Sequence, residues 1–295
     1  MKTYLQHFFD VFEYPADARA ALLSAYDVLI SDKRTADGFF ELLSRYEADI
    51  NCNFRQLLAD MENLCKLASI HEYTGKLLLC VCMSRRLREY YRSAGLSDEL
   101  WHAAMNDLRY KLIECRLVYG IWGSFVCAWF NRFFNMTRFA LGRLQFETVR
   151  FGRSYSKNGI TLSADSLVIN VHIPRTGGRL YPEQVKASYS QAAAFFKERY
   201  LLDSIVFVCD SWLLYPKNLE ILSENSNLRR FIMLFDLYGH GTYDNYNSLW
   251  RLFDKNYTGD VDALPQDSSF RRGYAEWVRK GIPTGWGCGV YVYQE

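Results

Sequence analysis

Apolar residues in the first half of the chain recur with the spacing of an α-helix. Leu22, Tyr26 and Leu29 form one such series, and Pro15 before it can open a helix as its first residue. Ser97 precedes another apolar series and is a candidate N-cap. The pattern predicts helices over residues 1–13, 15–30, around 39–46, over 53–69 and 74–93, and a last one from 97 to about 134.

In the second half, the period changes to the alternation of a β-strand. Along residues 166–173, Ile169 and Val171 share one side, whereas Asn170 and His172 share the other. Similar reasoning predicts strands at 143–151, 166–173, 204–209, 230–238 and 287–293, with helices over 182–200, 211–225, 245–254 and 267–280. The chain is therefore predicted to be α+β: an all-helical N-terminal domain, residues 1–137, followed by a mixed-sheet α/β domain, residues 138–295.

Composition, net charge and cysteine spacing limit the classes of function that this chain can have. The net charge of +2 over 295 residues gives no reason to expect nucleic acid or a membrane surface as a partner. The longest uncharged run, residues 117–131, is shorter than the ~20 residues of a membrane-spanning helix. The eight cysteines show no C-x-x-C spacing, and the N-terminus has no apolar signal core. We therefore expect a protein of a reducing compartment, the cytoplasm.

The stretch PRTGGRLY, residues 174–181, is a candidate anion site because it joins a strand to a helix. Gly177 and Gly178 allow positive φ and close approach of a ligand, while Arg175 and Arg179 are donors suited to phosphate. The free N–H groups at the start of the next helix carry the positive end of its dipole. The alternative is a glycine turn with both arginines in water.

His172 and Glu147 are the candidate proton acceptors. His172 ends its predicted strand on the side shared with Asn170, where an imidazole can act as a general base near neutral pH. Glu147 lies on the less apolar side of an adjacent strand, so pairing of the two strands would bring it close to His172. The alternatives are a structural histidine bonded to backbone and a solvent-facing glutamate.

Two further groups of residues contain side chains of types that could be reactive or bind a metal. Cys209 ends an apolar strand and could take an acyl group, although burial as a small hydrophobic residue is the alternative. Asp236, His240 and Asp244 recur at loose spacing, and the sequence has no tight ligand set, so metal binding is not expected.

Several stretches of the chain resemble one set of bacterial proteins. The resemblance is carried by LGRLQFE at 141–147, HIP with its glycine loop at 172–178, AAAFF at 192–196, CDSWLLYP at 209–216 and LPQDSSFRRGYAEWVRKG at 264–281. The chain is similar to two-domain, GNAT-like acyltransferase-domain proteins, which have a helical N-terminal domain and a C-terminal domain resembling GNAT N-acyltransferases. The similarity is good from about residue 109 to the end and loose over the helical half.

The resemblance implies acetyl-CoA or another acyl-CoA as donor substrate and an amine as acceptor. GNAT enzymes hold the acyl-CoA pyrophosphate on a loop of pattern Gln/Arg-x-x-Gly-x-Gly/Ala; Arg175 and Gly178 match its first two fixed positions, and Leu180 stands at the third. They also often use a strand glutamate as base, a role for which Glu147 or His172 is the candidate, and a tyrosine as acid, for which no tyrosine stands out.

The sequence thus predicts an acyl-CoA-dependent N-acyltransferase with an unknown amine acceptor. The departure at Leu180 favours an alternative, a non-catalytic ligand-binding protein on a degenerate GNAT-like fold. A third hypothesis is thiol acyl transfer through Cys209. The sequence fixes neither the acceptor nor the oligomeric state.

Overall fold

The computed structural model describes residues 1–157, 159–202 and 204–294. The chain divides into two compact units, Met1–Phe139 and Ala140–Glu295. The first unit is helical and the second is built around a mixed sheet, so the α+β prediction is confirmed.

The helices of the first unit follow one another through short turns. They are α1 (Lys2–Val11), α2 (Ala16–Ser31), α3 (Lys33–Ala48), α4 (Phe54–Leu67), α5 (Glu72–Ser93), α6 (Asp98–Tyr119), a 3₁₀ turn (Cys127–Phe130) and α7 (Asn131–Phe134). Polar side chains cap several of them: Asp32 accepts from the N–H of Arg34 at the start of α3, and Ser97 accepts from Leu100 at the start of α6. The predicted N-cap role of Ser97 is therefore confirmed.

Helix α5 is the centre of the helical unit. Residues 77–84 are buried without interruption, so this part of the helix is covered on all sides, as expected for a helix surrounded by others. It contacts α1, α2, α3, α4 and α6. The core of the unit therefore forms around α5.

The prediction of one helix from 97 to about 134 was wrong. Gly120 adopts the left-handed conformation, with φ +72°, and ends α6 there. The apolar residues that follow form irregular backbone before the 3₁₀ turn. Within the described part of the chain, every helix falls short of the length or apolarity that a membrane crossing requires.

The strands and their connecting helices belong to the second unit, except that the first two residues of β1 precede its start at Ala140. The strands are β1 (Arg138–Leu141), β2 (Leu144–Arg150), β3 (Tyr155–Lys157), β4 (Ile160–Leu162), β5 (Leu167–His172), β6 (Val206–Ser211), β7 (Asp236–Thr242) and β8 (Gly285–Val292). The helices are α8 (Pro182–Tyr200), α9 (Asn218–Ile221), α10 (Asn227–Ile232), α11 (Trp250–Phe253) and α12 (Ser269–Arg279), with 3₁₀ turns at Arg175–Gly177 and Trp212–Leu214.

Over the described residues, the main sheet has six strands in the order β1-β2-β5-β6-β8-β7, and β3 and β4 form a separate hairpin. Strands β2 and β5 are antiparallel, β5 and β6 are parallel, and β8 is antiparallel to both β6 and β7. The strands predicted at 166–173 and 204–209 are therefore parallel neighbours in this sheet.

In the second unit, three predicted elements differ from the structure. Residues 227–232 form a helix capped by Ser226, and the edge strand comes later, at the glycine-containing Asp236–Thr242, because a short apolar run fits a buried helix as well as a strand. The helix predicted over 211–225 is reduced to a 3₁₀ turn and α9, and the one over 245–254 to α11.

The two faces of the sheet are covered differently. Helix α8 packs on one face through Tyr189, whose ring lies 4.7 Å from Phe207 and 4.8 Å from Tyr291, centroid to centroid. On the other face, the segment with the β3–β4 hairpin places Phe151 and Tyr155 in a buried cluster with valines of the sheet: Val168, Val206, Val208 and Val290. Further along β5, this second face becomes polar, beginning at Asn170.

Candidate active site

The polar end of the second face brings Glu147, Asn170 and His172 together. Strand register places Glu147 opposite Asn170 and Gln145 opposite His172. The Nε2 atom of His172 lies 3.2 Å from Oε1 of Glu147, and Nδ2 of Asn170 lies 3.4 Å from the same oxygen. The predicted proximity of Glu147 to His172 is therefore observed, and it follows directly from antiparallel pairing of β2 with β5.

Glu147 and His172 differ in the exposed fraction of their side chains, and this difference decides which functions each can perform. The side chain of Glu147 is 9% exposed and that of His172 is 15% exposed, so the imidazole is the more accessible of the two. A buried carboxylate needs hydrogen-bond donors, and Asn170 and the His172 ring supply them. A carboxylate that holds one ring nitrogen orients the imidazole and stabilises its protonated form, as in catalytic histidine–carboxylate pairs.

Strands β5 and β6 are paired over only part of their length. Their ladder reaches the pair Asn170–Val208, and among the described residues it joins no later pair, although β5 continues to His172 and β6 to Ser211. The carboxyl ends of two parallel neighbours therefore separate beside His172. Such an edge is where open α/β sheets bind ligands.

The loop after β5 leads through a 3₁₀ turn and Gly178 directly into helix α8. Arg175–Gly177 form a 3₁₀ turn, and Gly178 has φ +85° and ψ −167°, a region almost restricted to glycine. Pro182 is the first residue of α8, and the first backbone bond of this helix runs from the N–H of Val185 to Tyr181. The N–H groups in the first turn of such a helix lack intrahelical acceptors and attract anions.

The two arginines of the loop have different surroundings. Arg175 forms an ion pair with Asp254, which also pairs with Arg271 at 2.7 Å. Arg179 is exposed at the surface of the loop. The Arg175 guanidinium is thus already held by a carboxylate of this chain, whereas the Arg179 side chain is accessible to an anion.

Arg143 is a loop-supporting residue that the sequence analysis missed. Its Nη2 donates to the carbonyl of Gly178, and a Cβ added at Gly177 would lie 2.9 Å from its Nη1. Its backbone N–H donates to Oγ of the buried Ser188 on α8, at 2.7 Å. The β1–β2 turn therefore fixes both the glycine loop and α8. The only signal in the sequence was Gly-Arg between two apolar segments.

Cys209 does not have the surroundings of a nucleophile. It is 1% exposed, and burial raises the pKa of its thiol far above the ordinary value. The structure therefore argues against acyl transfer through Cys209. All eight cysteines lie within the described residues and are free thiols.

Asp236 and His240 lie on β7, which β6 and β8 separate from β5, and Asp244 follows that strand. Asp236 accepts from the hydroxyl of Tyr155, at 2.7 Å, and pairs with Lys157, so it anchors the β3–β4 hairpin. Among the described residues, no three His, Cys, Asp or Glu side chains form a group that could hold a metal ion.

A helical unit followed by a mixed sheet with a strand–glycine loop–helix segment is a GNAT-like two-domain architecture. The family described as "GNAT-like C-terminal domain" matches residues 139–291, and "N-acyltransferase N-terminal domain" matches residues 3–136. The chain belongs to this family of proteins with a GNAT-like C-terminal domain. No curated protein sequence matches the chain.

Solved acyltransferase structures share the fold over nearly the whole chain. An acyltransferase in complex with decanoyl-CoA and teicoplanin is 21% identical, with a TM-score of 0.75, covering 98% of this chain and 87% of that one. An acyltransferase mutant in complex with octanoyl-CoA has a TM-score of 0.75 at 20% identity, and a complex with CoA and 10C-teicoplanin has 0.74 at 20%, both with the same coverage. The similarity extends through both units.

Proposed function

We propose that this protein is an acyl-CoA-dependent N-acyltransferase. The observation that carries the proposal is the Glu147–His172 pair, which lies where the parallel strands β5 and β6 separate, next to the glycine loop. Family membership and the acyl-CoA ligands of the similar solved structures support the same function.

The donor's pyrophosphate binds to the glycine loop and the first turn of α8. Gly177 and Gly178 leave two adjacent positions of the loop without a Cβ atom, Arg179 adds an exposed positive charge, and the helix start supplies N–H groups. Arg175 contributes through its ion pair with Asp254, which fixes the beginning of the loop. Leu180, at the position where GNAT loops have Gly or Ala, is half-buried.

His172 is the general base, and Glu147 orients its ring. The proton from the acceptor amine goes to the His172 imidazole, directly or through a water molecule. The amine nitrogen forms a bond to the thioester carbon, the carbon–sulfur bond breaks, and the CoA thiolate leaves and is protonated. Backbone N–H groups of the separated strands hold the oxyanion of the intermediate.

The cytoplasm is the proposed compartment of action. Seven of the eight free cysteines are buried in the packed interior, where none needs a disulfide partner. Acyl-CoA as the donor is consistent with this assignment.

The proposal is tested by calorimetry with acetyl-CoA, octanoyl-CoA, decanoyl-CoA and CoA, followed by assays of CoA release with a panel of primary amines. Micromolar binding of an acyl-CoA and amine-dependent release of CoA are expected. Binding without any amine-dependent release would favour the alternative, a non-catalytic ligand-binding protein. Absence of binding by all four ligands would overturn the proposal. Loss of turnover in Cys209→Ala but not in Glu147→Gln would restore the thiol hypothesis.

A further inference from the structure

Asp210 is an exposed carboxylate near the end of a central strand. Strand β6 has β5 on one side and β8 on the other, and the residues before Asp210, from Val206 to Cys209, are all buried. Aspartate is depleted in strands, and a central position normally carries a covered apolar side chain. The face of the sheet is therefore open above Asp210.

Asp210 on β6 and His172 on β5 occupy corresponding positions along their two parallel strands. Asn170 on β5 pairs with Val208 on β6, so the residues two positions further along each strand are His172 and Asp210. Paired residues of parallel neighbours point to the same side, and a step of two residues keeps the side unchanged. His172 and Asp210 therefore face the same crevice from its two edges, where β5 and β6 separate.

The surroundings of Asp210 leave its negative charge available. The described residues give it no ion pair. On the neighbouring strand β8, Asp210 is paired with Cys288. Burial, together with the Asp210 carboxylate, raises the pKa of the Cys288 thiol to about 11. The Arg153 guanidinium lies over the ring of Tyr238, 5.0 Å from the ring centroid. A neutral thiol is thus the neighbour of Asp210 in the sheet.

We infer that Asp210 binds the amino group of the acceptor, so that the acceptor is a cationic amine held between Asp210 and His172. This inference rests on the proposed function and adds the residue that selects the acceptor. The amine enters as an ammonium ion, gives one proton to His172, and attacks the thioester carbon. Its nitrogen becomes positively charged again when the new bond forms, and Asp210 stabilises that charge. The second proton then goes to water, or to His172 after the ring has given its first proton to the leaving CoA thiolate.

A binding experiment separates charge from shape. The CoA-saturated protein is titrated with 2-phenylethylamine and with 2-phenylethanol, and likewise with butylamine and butanol, at pH 7. We expect each ammonium ion to bind about tenfold or more tightly than its alcohol, and Asp210→Asn to abolish that difference. Equal affinities in the unmodified protein, or no measurable binding of either amine, would overturn the inference.

Kinetics with decanoyl-CoA then tests the role of Asp210 in turnover. In Asp210→Asn, the KM for the amine rises about tenfold or more, while the affinity for decanoyl-CoA stays unchanged. Asp165→Asn is the matched control, because Asp165 is also exposed but precedes β5 at its opposite end. Failure of the unmodified protein to bind any acyl-CoA would contradict the proposed function. Normal acyl-CoA binding with an unchanged amine KM in Asp210→Asn would contradict only the inference.

Discussion

Nε2 of His172 lies 3.2 Å from Oε1 of Glu147, and antiparallel pairing of β5 with β2 creates this contact across the sheet. Neither side chain depends on a loop for its position. Both stand on rigid strands, with Asn170 donating to the same carboxylate oxygen at 3.4 Å. The imidazole is the proposed proton acceptor and the carboxylate orients it, so removal of the ring and removal of the carboxylate charge have different consequences.

Replacing His172 with alanine removes the proposed base. We expect His172→Ala to lower amine-dependent turnover by about 10²–10⁴-fold without changing the affinity for acyl-CoA. Glu147→Gln keeps the shape of the side chain and an oxygen that can accept from the ring, so its loss is smaller. Initial rates of CoA release and calorimetry measure the two quantities.

His240→Ala is the control for this pair of variants, because His240 is an exposed histidine on the edge strand β7. It should leave turnover and acyl-CoA affinity as they are. A His172→Ala protein that folds normally and retains full turnover would show that the base lies elsewhere.

A methyl group on Gly178 tests the loop as a pyrophosphate site. Gly178 has φ +85° and ψ −167°, so alanine there is strained by about 1–3 kcal/mol even though open space surrounds the position. The loop relieves the strain by changing its backbone, which moves the N–H groups that are proposed to hold the pyrophosphate. We expect Gly178→Ala to weaken acyl-CoA binding by about tenfold or more, as measured by calorimetry.

Gly152→Ala separates strain from ligand binding. Gly152 also has positive φ, +75°, and open space around it, but it lies between β2 and the β3–β4 hairpin. This variant should lose stability without losing acyl-CoA affinity. Equal losses of affinity in the two variants would remove the loop from the binding site.

Local patterns predicted the parts of the fold that local interactions determine. The helices of the first unit follow from helical spacing, and alternation along β5 placed Asn170 and His172 on one side. The proximity of Glu147 needed one further assumption, the pairing of two strands, which the structure confirms. Helical spacing did not reveal where α6 ends, because the apolar run continues past Gly120.

Contacts between distant residues could not be predicted in the same way. Arg175 pairs with Asp254, which lies 79 residues further along the chain, and no local pattern indicates that partner. Arg143 reaches Gly178 across 35 residues through the fold of the β1–β2 turn. The edge strand β7 contains Gly239 and Gly241, so its sequence resembles a loop, and it is a strand because β8 supplies the partner.

Asp236 makes the stability of the second unit depend on pH. The hydrogen bond and charge of Lys157, followed by the hydroxyl of Tyr155, lower the pKa of Asp236 below its ordinary value. A carboxyl group with a lowered pKa in the folded state stabilises the fold above the unfolded-state pKa, about 3.9, and this contribution is lost as the pH falls through the folded-state pKa. Because Lys157 is largely exposed, the contribution is at most about 1 kcal/mol.

Urea unfolding of the unmodified protein and of Asp236→Asn, at pH 7 and at pH 3, checks this dependence. We expect the unmodified protein to be the more stable one at pH 7 and the difference to shrink at pH 3. Asp165→Asn serves as the control, since the carboxylate of this exposed residue precedes β5 and is not part of the hairpin anchor. A difference between the two proteins that is the same at both pH values would show that the Asp236 charge does not stabilise the fold.

Ser188 connects the glycine loop to the body of α8. Its hydroxyl is fully buried, accepts from the N–H of Arg143 at 2.7 Å and donates to the carbonyl of Gln184 at 2.9 Å. A Cβ on Gly142 would lie 2.6 Å from this hydroxyl, so the turn and the helix are in close contact. Ser188→Ala removes the acceptor of a buried N–H and should lower the free energy of unfolding by about 1–3 kcal/mol, measured in urea.

The same variant also tests whether the β1–β2 turn positions the loop. With its backbone released, Arg143 no longer holds the carbonyl of Gly178 in place, so acyl-CoA affinity falls as well as stability. Ser190→Ala, an exposed change on the same helix, should alter the free energy of unfolding by no more than about 0.5 kcal/mol and leave affinity unchanged. A Ser188→Ala protein that loses stability but binds acyl-CoA normally would limit Ser188 to packing and leave the loop positioned by other contacts.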